Sequence, residues 1–188
     1  ETLVITDAVY IGEDCFRDCI RLVEVSLPST LTEIGSYAFM RCTRLTSIVI
    51  PDSVIQMGSG IFHECTRLEF ITLPFLGASR DDRENAKLNY MFTYWHNGEE
   101  EIRFPDRLKH VTVTNTRRVE DYAFYLRRFD SQWVRIEQIT FVKEIEYVGS
   151  YAFTNRSSLE VVEIENGVRH IGEYAFSNCS GLGQIELP

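Results

Sequence analysis

Apolar positions in this chain recur with a period longer than any helix or strand imposes. Phe16, Phe39 and Phe62 stand 23 residues apart, as do Phe153 and Phe176, and Cys19, Cys42 and Cys65 keep the same step. A fixed period of this length marks a repeat architecture in which each unit is one supersecondary element. Within a unit, a Leu-x-x-Ile-x-Ile run alternates apolar and polar positions, which predicts a short strand with one face turned inward. Pro28, Pro51, Pro74 and Pro188 close these runs, since proline cannot donate to a hydrogen-bonded ladder. Ile11-Gly12, Ile34-Gly35 and Ile171-Gly172 then predict a tight bend. Ala-Phe-x-x-Cys-x-x-Leu spaces its apolar groups as one or two turns of helix would.

One unit buries too little apolar surface to offset the entropy of ordering it. Stacked units cover each other's apolar faces and pair each other's strand edges. Seven strands at a spacing of ~4.8 Å predict a parallel sheet roughly 30 Å long. The chain thus reads as a single domain, 1–188, of about seven repeats.

Two units depart from the period. Phe124 and Phe153 are 29 residues apart, which puts about six extra residues near Leu126–Val134, where Arg127 takes the cysteine slot. Phe62 and Phe124 are 62 apart, so residues 75–107 form an elaborated repeat with a large surface excursion. Tyr90-Met91-Phe92 lies near the usual phenylalanine position there, and Leu108, Val111 and Val113 form the strand. Ile5 and Phe16 share the spacing of Val113 and Phe124, and the C-terminal Leu187-Pro188 closes a strand. Neither end has a polar capping segment, which predicts a fragment of a longer modular protein. Open strand edges also predict possible end-to-end self-association.

Composition narrows the function classes. A net charge of −9 and a pI near 5.0 disfavour nucleic acid and anionic membranes. No apolar run reaches the ~18–20 residues of a membrane span, so no membrane insertion is expected. Residues Glu1-Thr2-Leu3-Val4-Ile5 lack the basic start of a signal peptide, so any such signal was removed or lay upstream. Of five cysteines, Cys19, Cys42, Cys65 and Cys179 share one repeat position, which reads as a ladder of small buried hydrophobes. His63, His96, His110 and His170 fall in four different contexts. No nucleophile elbow, zinc-protease motif or phosphate-binding glycine loop occurs. No catalytic residue, cofactor or metal ligand is expected, and the chain is not read as an enzyme. Asp81-Asp82-Arg83-Glu84 and Glu99-Glu100-Glu101 read as solvated charge, with calcium as the lesser reading. Arg21, Arg44 and Arg67 recur at one position and predict a row paired with nearby acids.

The pattern Leu-Pro-x-x-(Val/Leu)-x-x-Ile-Gly-x-x-Ala-Phe-x-x-Cys-x-x-Leu-x-x-Ile resembles the BspA-like leucine-rich repeats across nearly the whole chain. The insert from Leu73-Pro74 through Tyr90-Met91-Phe92 to Leu108 is also similar to one in that family. The resemblance implies a leucine-rich-repeat right-handed solenoid, with a parallel β-sheet on one face and short helical turns and loops on the other. It implies a secreted or cell-surface location. It also implies adhesion-type binding of protein or glycan partners on a host or neighbouring cell. It carries no catalytic residues.

The outward positions of the strands supply the candidate contact surface. One row reads Glu24, Ser47, Phe70, His110, Gln138, Val161 and Gln184; the next reads Ser26, Val49, Thr72, Thr112, Thr140, Glu163 and Glu186. Phe70 and His110 are expected to be neighbours, with Thr72 and Thr112 beside them. An exposed aromatic amid polar residues suits a contact anchor. In the insert, Tyr94 and Trp95 are the second candidates, because Tyr and Trp give large contact at low entropic cost. Packing of these aromatics onto the solenoid is the competing reading. A spacer between other modules, binding nothing, is the alternative function.

Overall fold

The computed structural model describes residues 1–125, 134–164 and 167–183. Residues 126–133, which hold Arg127 and nearly all of the expected extra stretch, lie outside them, as do 165–166 and 184–188, where the sequence predicts the last strand to end. Each repeat contributes one rung to a ladder of parallel strands: β1 (Thr2–Val4), β3 (Glu24–Ser26), β5 (Ser47–Val49), β7 (Phe70–Leu73), β10 (His110–Val113), β12 (Gln138–Phe141) and β14 (Val161–Glu163). β5 to β14 form one five-stranded sheet and β1 pairs with β3. A 3.4 Å bond from Thr46 N–H to the Val23 carbonyl links the two. The alternation is as expected: Ile48, Ile71, Val111, Ile139 and Val162 face the core and are buried.

The Ile-Gly bend is in fact a second ladder. Two-residue strands β2 (Tyr10–Ile11), β4 (Glu33–Ile34) and β6 (Gln56–Met57) pair in parallel, as do β11 (Arg118–Val119), β13 (Tyr147–Val148) and β15 (His170–Ile171). Two residues are too few for alternation to register in the sequence. Glycine follows because the neighbouring rung passes very close. A Cβ on Gly58 would stand 2.2 Å from the Ser36 nitrogen, and one on Gly35 would stand 2.5 Å from that of Glu13. The glycine answers to crowding here and not to a turn.

The predicted helical turns do not form among the described residues of the Ala-Phe-x-x-Cys segments; these are chains of turns. Two residues per repeat are left-handed. One lies two positions before the phenylalanine (Tyr37 φ 60°, Tyr151 φ 57°, Tyr174 φ 55°), the other two after it (Arg41 φ 62°, Asn155 φ 64°, Asn178 φ 59°). That costs about 1 kcal/mol or more per residue and ends any helix. The compensation is inter-repeat bonding. Tyr37, Phe39 and Arg41 N–H groups donate to the carbonyls of Ser59, Ile61 and His63 one rung on, at 2.9–3.0 Å. A helix would turn those amides back on their own segment.

Side chains at one repeat position stack. Phe16 and Phe39 have ring centroids 5.2 Å apart, Phe39 and Phe62 6.1 Å, Phe124 and Phe153 5.1 Å, and Phe153 and Phe176 4.9 Å. Phe92 extends the column beyond Phe62, its ring tilted by 47° at 6.4 Å, where the insert was expected to supply it. Three residues after Phe39, Phe62 and Phe176, a thiol donates to the phenylalanine carbonyl of the preceding rung. Cys42 Sγ reaches Phe16 O at 3.3 Å, Cys65 Sγ reaches Phe39 O at 3.1 Å and Cys179 Sγ reaches Phe153 O at 3.0 Å. All five cysteines are free thiols; Cys42 and Cys65 are buried, whereas Cys15 and Cys19 are exposed on the first rung. The expected arginine row is only partly paired: Arg21 meets Glu1 at 3.1 Å, and among the described residues Arg44 and Arg67 make no ion pair.

Arg156 takes the cysteine slot of its rung and does the same work. Its Nε donates to Phe124 O at 2.6 Å, while Nη2 is buried without a partner. Desolvation pushes its guanidinium down to about 9. Replacing it with Met keeps the length and removes the charge. Losing the bond leaves the Phe124 carbonyl short of a donor, about 1–3 kcal/mol, which removal of the similarly unsatisfied Nη2 donor offsets; relief of the several kcal/mol of a desolvated cation is then the net gain. Arg156→Met is therefore expected to raise the unfolding free energy by about 1–3 kcal/mol in urea denaturation; a lower midpoint would refute the argument.

Burial pushes the Cys42 thiol up from 9.0 to about 12, and pushes Cys65 up as well. Below pH 9.0 the Cys42 proton is held in both folded and unfolded chains. As pH rises from there toward 12, the unfolded chain releases it and the folded one does not, so stability drains away over that window. The denaturation midpoint should thus fall more steeply above pH 9 in wild type than in Cys42→Ala, which has no thiol to titrate. Parallel curves would disprove the linkage.

Candidate functional site

The strand register brings four of the sequence candidates together. Phe70 pairs with His110, Thr72 with Thr112, and both rows continue into Gln138 and Thr140 of β12. The rings of Phe70 and His110 stack at 4.9 Å with planes 7° apart, and Phe70 remains 48% exposed. Stacking follows from parallel rungs, which aim equivalent side chains in one direction at one strand spacing. Val49 and Val161, in the same two rows, are also exposed. Toward the C-terminal side the surface turns polar: Gln138 Nε2 donates to Thr140 Oγ1 at 3.3 Å, and Thr140 Oγ1 donates to Glu163 Oε2 at 2.8 Å. The outward face is thus an aromatic pair flanked by valines and hydroxyls, with the Glu24 and Glu163 carboxylates further out on either side. Gln184 and Glu186, the expected ends of the rows, fall outside the described residues.

Tyr94 and Trp95 do not join that face. A 3-10 turn at Leu88–Phe92 delivers the chain to an antiparallel hairpin of β8 (Thr93–His96) and β9 (Glu99–Ile102). Asn97 (φ 51°) and Gly98 (φ 81°) make its turn. Asn-Gly between two strand-forming runs is the strongest short-range hairpin signal, and it was there in the sequence to be used. Tyr94 packs edge-on against Tyr37 at 5.2 Å and lies 5.3 Å from the His63 ring. Trp95 N–H donates to the Tyr37 hydroxyl at 3.4 Å. Those partners sit in the turn segments, away from β7 and β10. Tyr94 therefore clamps the hairpin, which is the packing role, while Trp95 projects outward, 55% exposed.

His63, buried, holds the base of this clamp. Its Nδ1 lies 2.8 Å from Phe92 O, so the imidazole donates there. It satisfies the carbonyl that a thiol serves on other rungs. The acidic runs are local structure. Asp82 Oδ1 accepts the Glu84 and Asn85 N–H groups at 3.0 and 3.1 Å, and the Asn85 side-chain amide bonds Oδ2, which holds the carboxyl below the usual range. Glu101 is held low by Arg103, 2.8 Å away. Among the described residues no group of three His, Cys, Asp or Glu side chains is placed to hold a metal ion.

A stacked series of short parallel rungs, with a buried phenylalanine column and an outward strand face, defines a leucine-rich-repeat solenoid. The chain belongs to the family described as BspA type leucine rich repeat region, of which six copies match residues 1–79 and 100–188. The unmatched stretch, 80–99, is most of the insert. No curated protein matches the chain. Among solved structures, it is similar to a leucine rich cell surface protein from Faecalibacterium prausnitzii, at 25% identity and a TM-score of 0.42 over all of this chain and 48% of that one. It is similar to the leucine rich repeat protein of T. pallidum, at 21% identity and a TM-score of 0.44, covering 96% of this chain and 67% of that one. It is also similar to the pneumococcal vaccine antigen PcpA, at 13% identity and a TM-score of 0.36, covering 96% and 60%. The chain spans about half the length of the Faecalibacterium chain it matches.

Tyr94→Ala removes the edge-on ring contact, worth about 0.5–1.5 kcal/mol beyond the buried area. Amide exchange in residues 93–102 is expected to speed up about tenfold while β7 and β10 amides keep their rates. Uniform acceleration, or none, would mean that Tyr94 is not the clamp.

Proposed function

We propose that this chain is a non-catalytic interaction module of a secreted or cell-surface protein, holding a protein or glycan partner against the outward face of its first ladder. The observation that carries this reading is the stacked, half-exposed Phe70–His110 pair. Apolar rings in water are a standing driving force for association. The pair is already ordered by its strands and by its own stacking, so little side-chain entropy is lost when a partner covers it. Thr72 and Thr112 beside it offer hydroxyls that suit peptide carbonyls or sugar hydroxyls alike. Family membership supports the same reading, since repeat solenoids present extended surfaces of this kind. Trp95 is a second contact on a different face.

The test compares wild type with Phe70→Asp/His110→Asp, and separately with Trp95→Ala, in pull-downs from host-cell and matrix extracts after circular dichroism confirms folding. A partner held by wild type should be lost at least about tenfold from the ladder variant, as for a central aromatic anchor. Retention equal to wild type in that variant would remove the ladder face from the account. Absence of any partner would favour a spacer.

A further inference from the structure

A second surface feature lies apart from the stacked pair. Three segments distant in sequence meet where the first ladder bends into the second: the start of the insert, the bend between β10 and β11, and the bend between β12 and β13. A cleft of about 300 Å³ opens between them. Four cations line it, Arg80, Arg117, Arg118 and Lys143, with one carboxylate, Asp81, and the polar Asn115 and Thr116. On a chain of net charge −9 this is a local reversal of sign.

Two of the cations are held in place by contacts outside the cleft lining. Arg117 Nη1 pairs with Glu146 at 2.9 Å; Arg118 Nε pairs with Glu120 at 2.8 Å, and its guanidinium lies 3.9 Å over the Tyr147 ring. Each of these contacts engages only part of a guanidinium that carries five donors. The other two cations are uncommitted: among the described residues Arg80 and Lys143 make no ion pair, and the Lys143 ammonium bonds the Asn115 side-chain oxygen. That bond leaves the Asn115 amide hydrogens free to donate.

Donors arriving from three directions suit a tetrahedral oxyanion, which accepts on several sides, better than a planar carboxylate, which one guanidinium fork would take. The volume admits a small ester and not a duplex, and polyphosphate binding needs many more cations than these. We propose that this cleft binds the sulfate ester of a saccharide, with Arg80 and Lys143 as the principal contacts and the Asn115 amide meeting the sugar. The site is independent of the Phe70–His110 face.

Isothermal titration of the whole chain tests it, with a sulfated disaccharide, its unsulfated parent, inorganic sulfate and a phosphoserine peptide as probes. The sulfated disaccharide should bind, its parent should bind at least about tenfold more weakly, and binding should fall as salt rises. Arg80→Ala/Lys143→Ala, two surface substitutions, should weaken it at least about tenfold. Arg44→Ala/Arg67→Ala, which removes two cations elsewhere, and Phe70→Asp/His110→Asp should bind like wild type. Equal loss in the Arg44/Arg67 variant would reduce the effect to bulk charge. No binding by wild type at millimolar probe overturns the proposal. So does inorganic sulfate binding as tightly as the disaccharide, which would make it an adventitious ion only. A tighter phosphoserine peptide overturns the saccharide assignment.

Discussion

One distance governs this molecule: neighbouring rungs lie a single strand spacing apart, about 4.8 Å. Whatever occupies a repeat position must tolerate its own equivalent at that separation. Flat rings do so by stacking, and the buried column at Phe16, Phe39 and Phe62 shows it. So do the exposed rings of Tyr122 and Tyr174 and the half-buried ring of Tyr151 between them, with centroids 5.1 Å apart at both steps. Where backbones themselves approach, no side chain is tolerated, and glycine results at Gly35 and Gly58. Phenylalanine carbonyls that point along the stack take a side-chain donor from the next rung: a thiol at Phe16, Phe39 and Phe153, and the Arg156 guanidinium at Phe124.

The same distance explains what the sequence disclosed. Positions that repeat with identical residues are legible from spacing alone, so the phenylalanine column, the strand rows and the adjacency of Phe70 and His110 all followed from counting. Features carried by unlike residues stayed hidden. Asp14, Tyr37 and Gly60 share a left-handed backbone, yet nothing in their chemistry announces it together. The helical spacing around Phe39 was real, but inter-rung bonds to Ser59 and Ile61 outweighed it. The cysteine slot was recognised as a row of small hydrophobes. Its use as a donor, and hence its equivalence to Arg156, needed coordinates. The candidate site split for a related reason: Tyr94 and Trp95 follow the hairpin that Asn97-Gly98 creates, not the rungs, so periodicity could not place them.

The insert is integrated and not appended. Phe92 enters the aromatic column, His63 meets the Phe92 carbonyl, and the Met57 N–H donates to Ala78 O at 2.8 Å. Its outer part is then free to vary. The hairpin meets the solenoid through Tyr94 and the Trp95 N–H, both on Tyr37, and the opening of the insert contributes Arg80 to the basic cleft. A regular array provides rigidity and alignment; the irregular unit provides chemistry that no repeated position offers. The Phe70–His110 face and the basic cleft both depend on neighbouring rungs keeping their register across it.

The two ladders do not cross the insert in the same way. The first is continuous through β7 and β10, whereas the second stops at β6 and resumes at β11, with Ser79 bridging antiparallel to Gln56 between them. A beam fastened along one edge and slit along the other has a preferred plane of bending. The array's compliance therefore has a direction. Bending there would turn about the uncut edge, against the insert's own bonds from Gly60 N–H to Tyr90 O and from Leu88 N–H to Ala123 O, and would alter the width of the basic cleft beside the break.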